Sequence, residues 1–294
     1  MRWKKVTIVG VGLLGGSLGL AMRKRGLAAE VAGYVRRATA MKECERAGAL
    51  DYATTDLLAA VDGADLVILC TPLAQMKPLV TQMQPALKPG VIVTDVGSVK
   101  GSVVQTLESL TAKAGGYFVG SHPMAGLEKT GVGAARADLF QSAVCVTTPT
   151  KRTNLSALRK VERFWKAIGC RILQLTPVAH DQLVSHSSHL PQLVAALLAH
   201  EVLDPRFPRE QSLLCAGGFR DTTRIASGSP EMWRDIALAN RTQLGKALAG
   251  FIRELQGVQA LLRRGDSENI YKLLTTAKAR RDAWLKGCVS TSPE

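Results

Sequence analysis

Through the first 175 residues, short runs of β-branched and aliphatic residues alternate with longer stretches of helical periodicity. Val6 to Val9, Val31 to Val35, Leu66 to Cys70, Val91 to Asp95, Tyr117 to Gly120, Ala143 to Thr147 and Arg171 to Leu175 are the expected strands. Strands separated by helical segments predict a parallel sheet with crossover helices. After Thr176-Pro177 the strand signal stops and only helical patterns follow. The expected architecture is an α/β parallel-sheet domain over 1–175, then an all-helical domain over 176–294.

In the helical part, the pattern from Val178 to Val202 is interrupted by Pro191, which lacks an amide donor and predicts a kink. Ser229-Pro230-Glu231 marks a helix start, with a capping hydroxyl, proline in the first turn and an acid near the positive end of the dipole. Leu244, Leu248, Phe251, Leu255, Val258 and Leu262 then recur at alternating four- and three-residue steps. Such a seam on a small helical part predicts a homodimer interface. The Ser290 to Glu294 tail is expected to be disordered.

Candidate chemistry begins at Gly10-Val-Gly12-Leu-Leu-Gly15, which follows a strand and opens a helix. That context marks a dinucleotide-binding, Rossmann-type fold. Gly10 makes the tight turn, Gly12 lets a pyrophosphate approach the backbone, and Gly15 permits close helix-strand packing. An NAD site commonly ends its second strand with an acid that binds the ribose hydroxyls. Here Val35 stands in that position and Arg36-Arg37 follow, so a 2′-phosphate meets two cations and NADP is the expected cofactor, with NAD possible. Thr71, after the strand Leu66 to Cys70, is expected to line the nicotinamide side.

Charge and composition narrow the partners. The 294 residues carry a net charge of +14, which raises nucleic acid as a rival ligand. The basic residues are dispersed and lack a helix-turn-helix, zinc or aromatic-basic motif, so anionic small molecules are expected instead. Six widely spaced cysteines suggest neither a metal site nor a redox pair, and read as reduced thiols of a cytoplasmic protein. Glycines break the apolar run before Ala21, and no other run approaches the roughly 20 residues of a membrane span.

Two segments stand where a strand gives way to a polar loop: Asp95-Val-Gly-Ser-Val-Lys100 and Gly120-Ser-His-Pro-Met-Ala-Gly126. With Ser188-His-Leu-Pro191 and Gly217-Gly-Phe-Arg-Asp-Thr-Thr-Arg-Ile225, they make residues 5 to 285 resemble the prephenate/arogenate dehydrogenase family of tyrosine biosynthesis. The resemblance implies oxidation of a ring alcohol while the opposite ring carboxylate leaves as carbon dioxide, with no metal required. His122 matches the family's catalytic base, and Ser98 the serine that hydrogen-bonds it and approaches the nicotinamide. His189 matches a substrate-binding histidine, His180 a second motif position beside the pocket, and Arg224 the arginine that pairs with a substrate carboxylate. No family role falls on Arg220, and His186 and His200 read as polar helix positions.

Prephenate is the expected substrate, because Arg220 and Arg224 suit its two carboxylates and no acid lies between Arg224 and Glu231. Arogenate, with its added cation, is the alternative. A 3-hydroxy-acid or imine reductase is a rival that places a lysine base on its helical domain, and a non-catalytic NADP sensor is a second. The sequence shows no regulatory-domain signature after the helices and no mutase-like segment before the glycine motif.

Overall fold

The computed structural model describes residues 2–126 and 129–289, so the Ser290 to Glu294 tail lies outside the described residues. The chain opens with β1 (Trp3–Val9), α1 (Leu13–Arg25), β2 (Ala28–Tyr34), α2 (Ala38–Ala47), β3 (Tyr52–Thr54) and α3 (Leu57–Val61). It continues through β4 (Leu66–Leu69), α4 (Leu73–Met83), β5 (Ile92–Asp95), α5 (Gly101–Lys113) and β6 (Tyr117–Val119). These strands form one parallel sheet in the order β3-β2-β1-β4-β5-β6. The order reverses direction between β1 and β4, and ligands of such sheets bind outside the carboxyl ends of the strands at that point.

Both faces of the sheet are covered, as a parallel sheet requires. On β4, Leu66 and Ile68 enter one core with Leu18, Met22 and Trp165, while Val67 and Leu69 enter another with Met76, Val80 and Leu107. Side chains alternate across a strand, so one four-residue run feeds both cores.

A second sheet follows, built from β7 (Ser121–Pro123), β8 (Val144–Thr147) and β9 (Arg171–Gln174), with α6 (Leu155–Ile168) between the last two. The strands expected at 143–147 and 171–175 therefore belong to a separate mixed sheet, in which β7 runs antiparallel to β8. Two short strands, β3 and β7, were absent from the sequence expectation.

Only helices follow: α7 (Pro177–Val184), α8 (Leu190–Val202), α9 (Arg209–Leu213), α10 (Gly217–Thr223), α11 (Pro230–Ala239), α12 (Arg241–Arg264) and α13 (Ser267–Val289). The break expected at Pro191 takes the form of a π-helical segment, Ser185–His189, between α7 and α8. Ser229 caps α11 by accepting from the Met232 amide at 3.3 Å, as expected.

By their contacts the residues form two compact units, Met1–Arg241 and Thr242–Glu294. This division differs from the change of secondary structure at Thr176. The Asp181 side chain of α7 accepts the amides that open α5, which ties the first helices after the sheets into the same unit. In the second unit, Leu255 and Leu262 of the expected seam are exposed, as are Tyr271, Leu274 and Trp284 of α13.

Candidate active site

At the switch point, α1 begins with Gly12 as its cap residue and no side chain caps its free amides. Such an end attracts anions through its amides and the helix dipole. Gly10 has φ +95°, and a Cβ there would meet the Cys70 carbonyl oxygen at 2.9 Å. A Cβ on Gly15 would lie 2.3 Å from the Gly10 oxygen, whereas one on Gly12 would meet nothing within 4 Å. Two glycines are thus required by the protein's own packing, and the third leaves open space over the helix end. Thr71 stands opposite Gly10 with its Oγ1 buried and without a hydrogen-bond partner. An open approach to bare amides beside an orphaned hydroxyl fits a dinucleotide. Arg36 and Arg37 follow the buried Val35 as exposed side chains, and neither is paired with a carboxylate among the described residues.

Further along the same edge, the buried Asp95 at the end of β5 joins the two sheets. Its carboxylate accepts the Gly97 amide at 2.8 Å and the Ser121 amide at 3.1 Å, and pairs with the fully buried Lys100 ammonium. The Ser121 hydroxyl donates to the Asp95 carbonyl at 2.5 Å and accepts from the Trp165 indole at 3.1 Å. Breaking such a buried ion pair by removing one partner costs about 3–5 kcal/mol. This latch fixes β7, and with it His122, against the β5–α5 loop that carries Ser98.

His122 is buried, with its Nδ1 2.9 Å from His180 Nε2. His180 Nδ1 lies 2.8 Å from Asp181 Oδ1, and Asp181 also accepts the Lys100 and Gly101 amides at 2.7 and 2.8 Å. The carboxylate can only accept, so His180 donates from Nδ1, and in the neutral tautomer this requires, Nε2 is the acceptor. His122 must therefore donate from Nδ1, which leaves the lone pair on its Nε2. Burial first, and then the neighbouring His180, Lys100 and His189, hold the pKa of His122 well below the usual histidine value. The arrangement is a neutral imidazole base, oriented through a second imidazole by a carboxylate.

His189 closes the π-helical segment. The Asn240 amide nitrogen lies 3.2 Å from its Nδ1 and 2.8 Å from the Asp181 carbonyl oxygen, and the Trp233 ring meets it edge-on. Its Nε2 is buried without a hydrogen-bond partner. Burial lowers its pKa to about 4, with Asp181 and the Ser98 main chain opposing and His180 adding to the fall.

Family models for the nucleotide-binding domain and the dimerization domain of prephenate dehydrogenase match residues 18–174 and 176–276. The chain belongs to the prephenate dehydrogenase family. It is 33% identical to prephenate dehydrogenase of Bacillus subtilis over 94% of this chain and 75% of that protein. A prephenate dehydrogenase structure from A. aeolicus, in complex with hydroxyphenyl propionate and NAD+, superposes with a TM-score of 0.90 at 33% identity, covering 96% of this chain and 99% of that one. A Synechocystis arogenate dehydrogenase structure gives 0.80 at 31%, covering 95% and 99%. The protein is accordingly a dehydrogenase with a Rossmann-type domain followed by a helical one.

Within that family fold, the structure brings His122 and His180 into direct contact and joins His189 to them through Asn240 and Asp181. The expected bond from Ser98 to His122 is not formed among the described residues. Ser98 is half-buried in the β5–α5 loop, and His180 takes the Nδ1 of His122 instead. Arg224 opens a 3-10 turn, Arg224–Ser227, that packs on α8, the helix entered from His189. Arg220, His186 and His200 are exposed. Sequence reasoning missed Asp181, Asn240 and the Asp95–Lys100 pair. The His180-Asp181 step directly after a helix-opening Thr176-Pro177 was a usable signal, since it places both side chains at a helix start beside the sheet edge. Asn240 offered none, because an asparagine ending a helix reads as a cap.

Proposed function

We propose that the protein oxidatively decarboxylates prephenate to 4-hydroxyphenylpyruvate with NADP, as a cytoplasmic homodimer. The observation that carries this reading is the Asp181–His180–His122 series, which in its neutral form leaves the lone pair on His122 Nε2. His122 accepts the proton of the substrate ring hydroxyl. A bound nicotinamide supplies the hydride acceptor for the carbon that carries that hydroxyl. Loss of carbon dioxide from the opposite ring carbon then aromatises the ring. As the proton arrives, His180 and Asp181 keep the imidazolium oriented and partly neutralised. Ser98 approaches the reacting end from the β5–α5 loop, while His189 and Arg224 hold the substrate. Gly10, Gly12 and Gly15 hold the pyrophosphate at α1, and Thr71 faces the nicotinamide.

NADP over NAD is supported by Val35 where an acid would stand, and by the unpaired, exposed Arg36 and Arg37. Prephenate over arogenate is supported by the fate of the nearby acids. Glu231 accepts from its own cap residue Ser229 at 3.0 Å, and Asp235 pairs with Arg234. Both carboxylates already have partners on their own helix, which weakens their claim on a substrate amino group. The dimer is supported by the name of the second family model and by the exposed apolar residues of α12 and α13. The two family models meet at Leu175/Thr176, which supports a functional boundary there even though contacts divide the chain later. Five cysteines are free among the described residues, which suits a reducing compartment.

Purified enzyme offered prephenate or arogenate, each with NADP or NAD, tests the reading through kcat/KM. The prephenate and NADP pair should be best, and a tenfold advantage for arogenate would replace the substrate. Converting Arg36 and Arg37 to alanine should lower efficiency with NADP about tenfold or more and leave that with NAD nearly unchanged. Equal use of both cofactors by the unmodified enzyme would refute the preference.

A further inference from the structure

Asn240 is 4% exposed, and its side-chain nitrogen touches two groups from two different segments. One is the main-chain oxygen of Asp181 at 2.8 Å, the other His189 Nδ1 at 3.2 Å. A main-chain carbonyl can only accept, so the amide NH2, and not its oxygen, must face it. The same nitrogen then donates its other hydrogen to His189, whose Nδ1 must carry a lone pair. In a neutral imidazole the proton is then on Nε2.

We propose that Asn240 is a positioning residue that holds His189 as its Nε2–H tautomer, making this ring a neutral hydrogen-bond donor to an oxygen of the substrate. Three further observations agree. His189 Nε2 is buried and has no hydrogen-bond partner in the protein, so a hydrogen there is left for a ligand oxygen to accept. The Trp233 ring, 6.1 Å from the imidazole and at 78° to it, leaves little freedom to rotate. Burial also keeps the ring uncharged near neutral pH. Asn240 is thereby distinguished from a simple helix cap. It couples the start of the histidine series, through Asp181, to the donor side of the site, so base and donor are set by one amide. The identity of the substrate oxygen as one of prephenate rests on the function proposed above; the tautomer does not.

The test is long-range 1H–15N correlation on the full chain labelled with 15N-histidine, His189 being assigned by its loss in His189→Gln. The unmodified protein should show His189 protonated on Nε2. In Asn240→Asp the carboxylate can only accept, so the proton should move to Nδ1. KM for the substrate should rise tenfold or more in that variant, while kcat stays within about threefold and KM for the cofactor is unchanged. A merely structural role would lower thermal stability without inverting the tautomer. Finding Nδ1–H on His189 in the unmodified protein overturns the proposal whether or not the variant folds, and so does an unchanged tautomer in a folded Asn240→Asp. Nε2–H in a protein that turns over neither prephenate nor arogenate would remove the functional reading and leave the placement of His189 by Asn240 standing.

Discussion

Replacing His122 by asparagine is expected to lower kcat by about 10²–10⁴-fold, the usual contribution of a positioned general base. Asparagine keeps the polarity and can still meet His180, but it cannot take a proton. The dinucleotide cradle lies on other elements, so KM for the cofactor should hardly change. The protonation state adds a second readout. His122 must be neutral to act, and its pKa lies well below the usual value near 6.5. As pH falls through 6.5 the active form therefore persists, and kcat/KM is lost only when pH falls through the lowered value. An acid limb at or above 6.5, or near-normal turnover of His122→Asn, would move the base elsewhere, with His189 the first candidate.

Gly15→Ala should have the largest effect on folding. Its Cβ would stand 2.3 Å from the Gly10 oxygen and 2.9 Å from Ile8 Cγ2, and a main-chain oxygen in a tight turn cannot step aside. Overpacking of this kind costs about 1–3 kcal/mol or more. For a chain of this size that corresponds to a fall in Tm of roughly 2–5 °C. The Gly10 turn would shift with it, so KM for the cofactor should also rise. Gly12→Ala makes the contrast, because its Cβ meets nothing within 4 Å. Its Tm should stay nearly unchanged while cofactor binding weakens, the methyl group filling space the pyrophosphate needs. Equal Tm values for the Gly15 variant and the unmodified protein would contradict the packing.

Much of this organisation can be read from residues alone, and the exceptions have physical causes. All seven expected strands are present; six are apolar runs that feed a core, while β9 is mostly exposed and packs only Ile172 against one. The two unforeseen strands are three residues each, and β7 contains Pro123, which argues against a strand by its missing donor. The second sheet escaped notice for the same reason, since β7 is the strand that turns it antiparallel. At the site, the glycine turn and the four motifs were legible because their chemistry is local. The partners of the histidines were not: Asp181 reaches amides 80 and 81 positions earlier, and Asn240 meets a ring 51 positions away. Sequence adjacency carries no trace of such contacts. Ser98 shows the reverse case, a motif position whose expected bond to His122 is not among the hydrogen bonds of the described residues, where His122 meets His180.

The wide turn at Ser185–His189 also sets a phase relation. His180 and His189 are nine positions apart, which on an uninterrupted α-helix of 3.6 residues per turn would place them about 180° apart, on opposite faces. A π-helical turn absorbs one extra residue, so the pair is phased as though about eight apart, or roughly 80°. That rotation brings the two imidazoles closer to one face of the helical run, where Asp181 bonds one directly and Asn240 links it to the other. Rewinding Ser185–His189 as ordinary α-helix with no residue removed would swing His189 by about 100°, whereas deleting a single residue there would leave the pair eight apart and keep the angle at roughly 80°. The segment thus acts as an inserted spacer whose effect lies in angle rather than length, setting the direction of one histidine against the other along a single helical run.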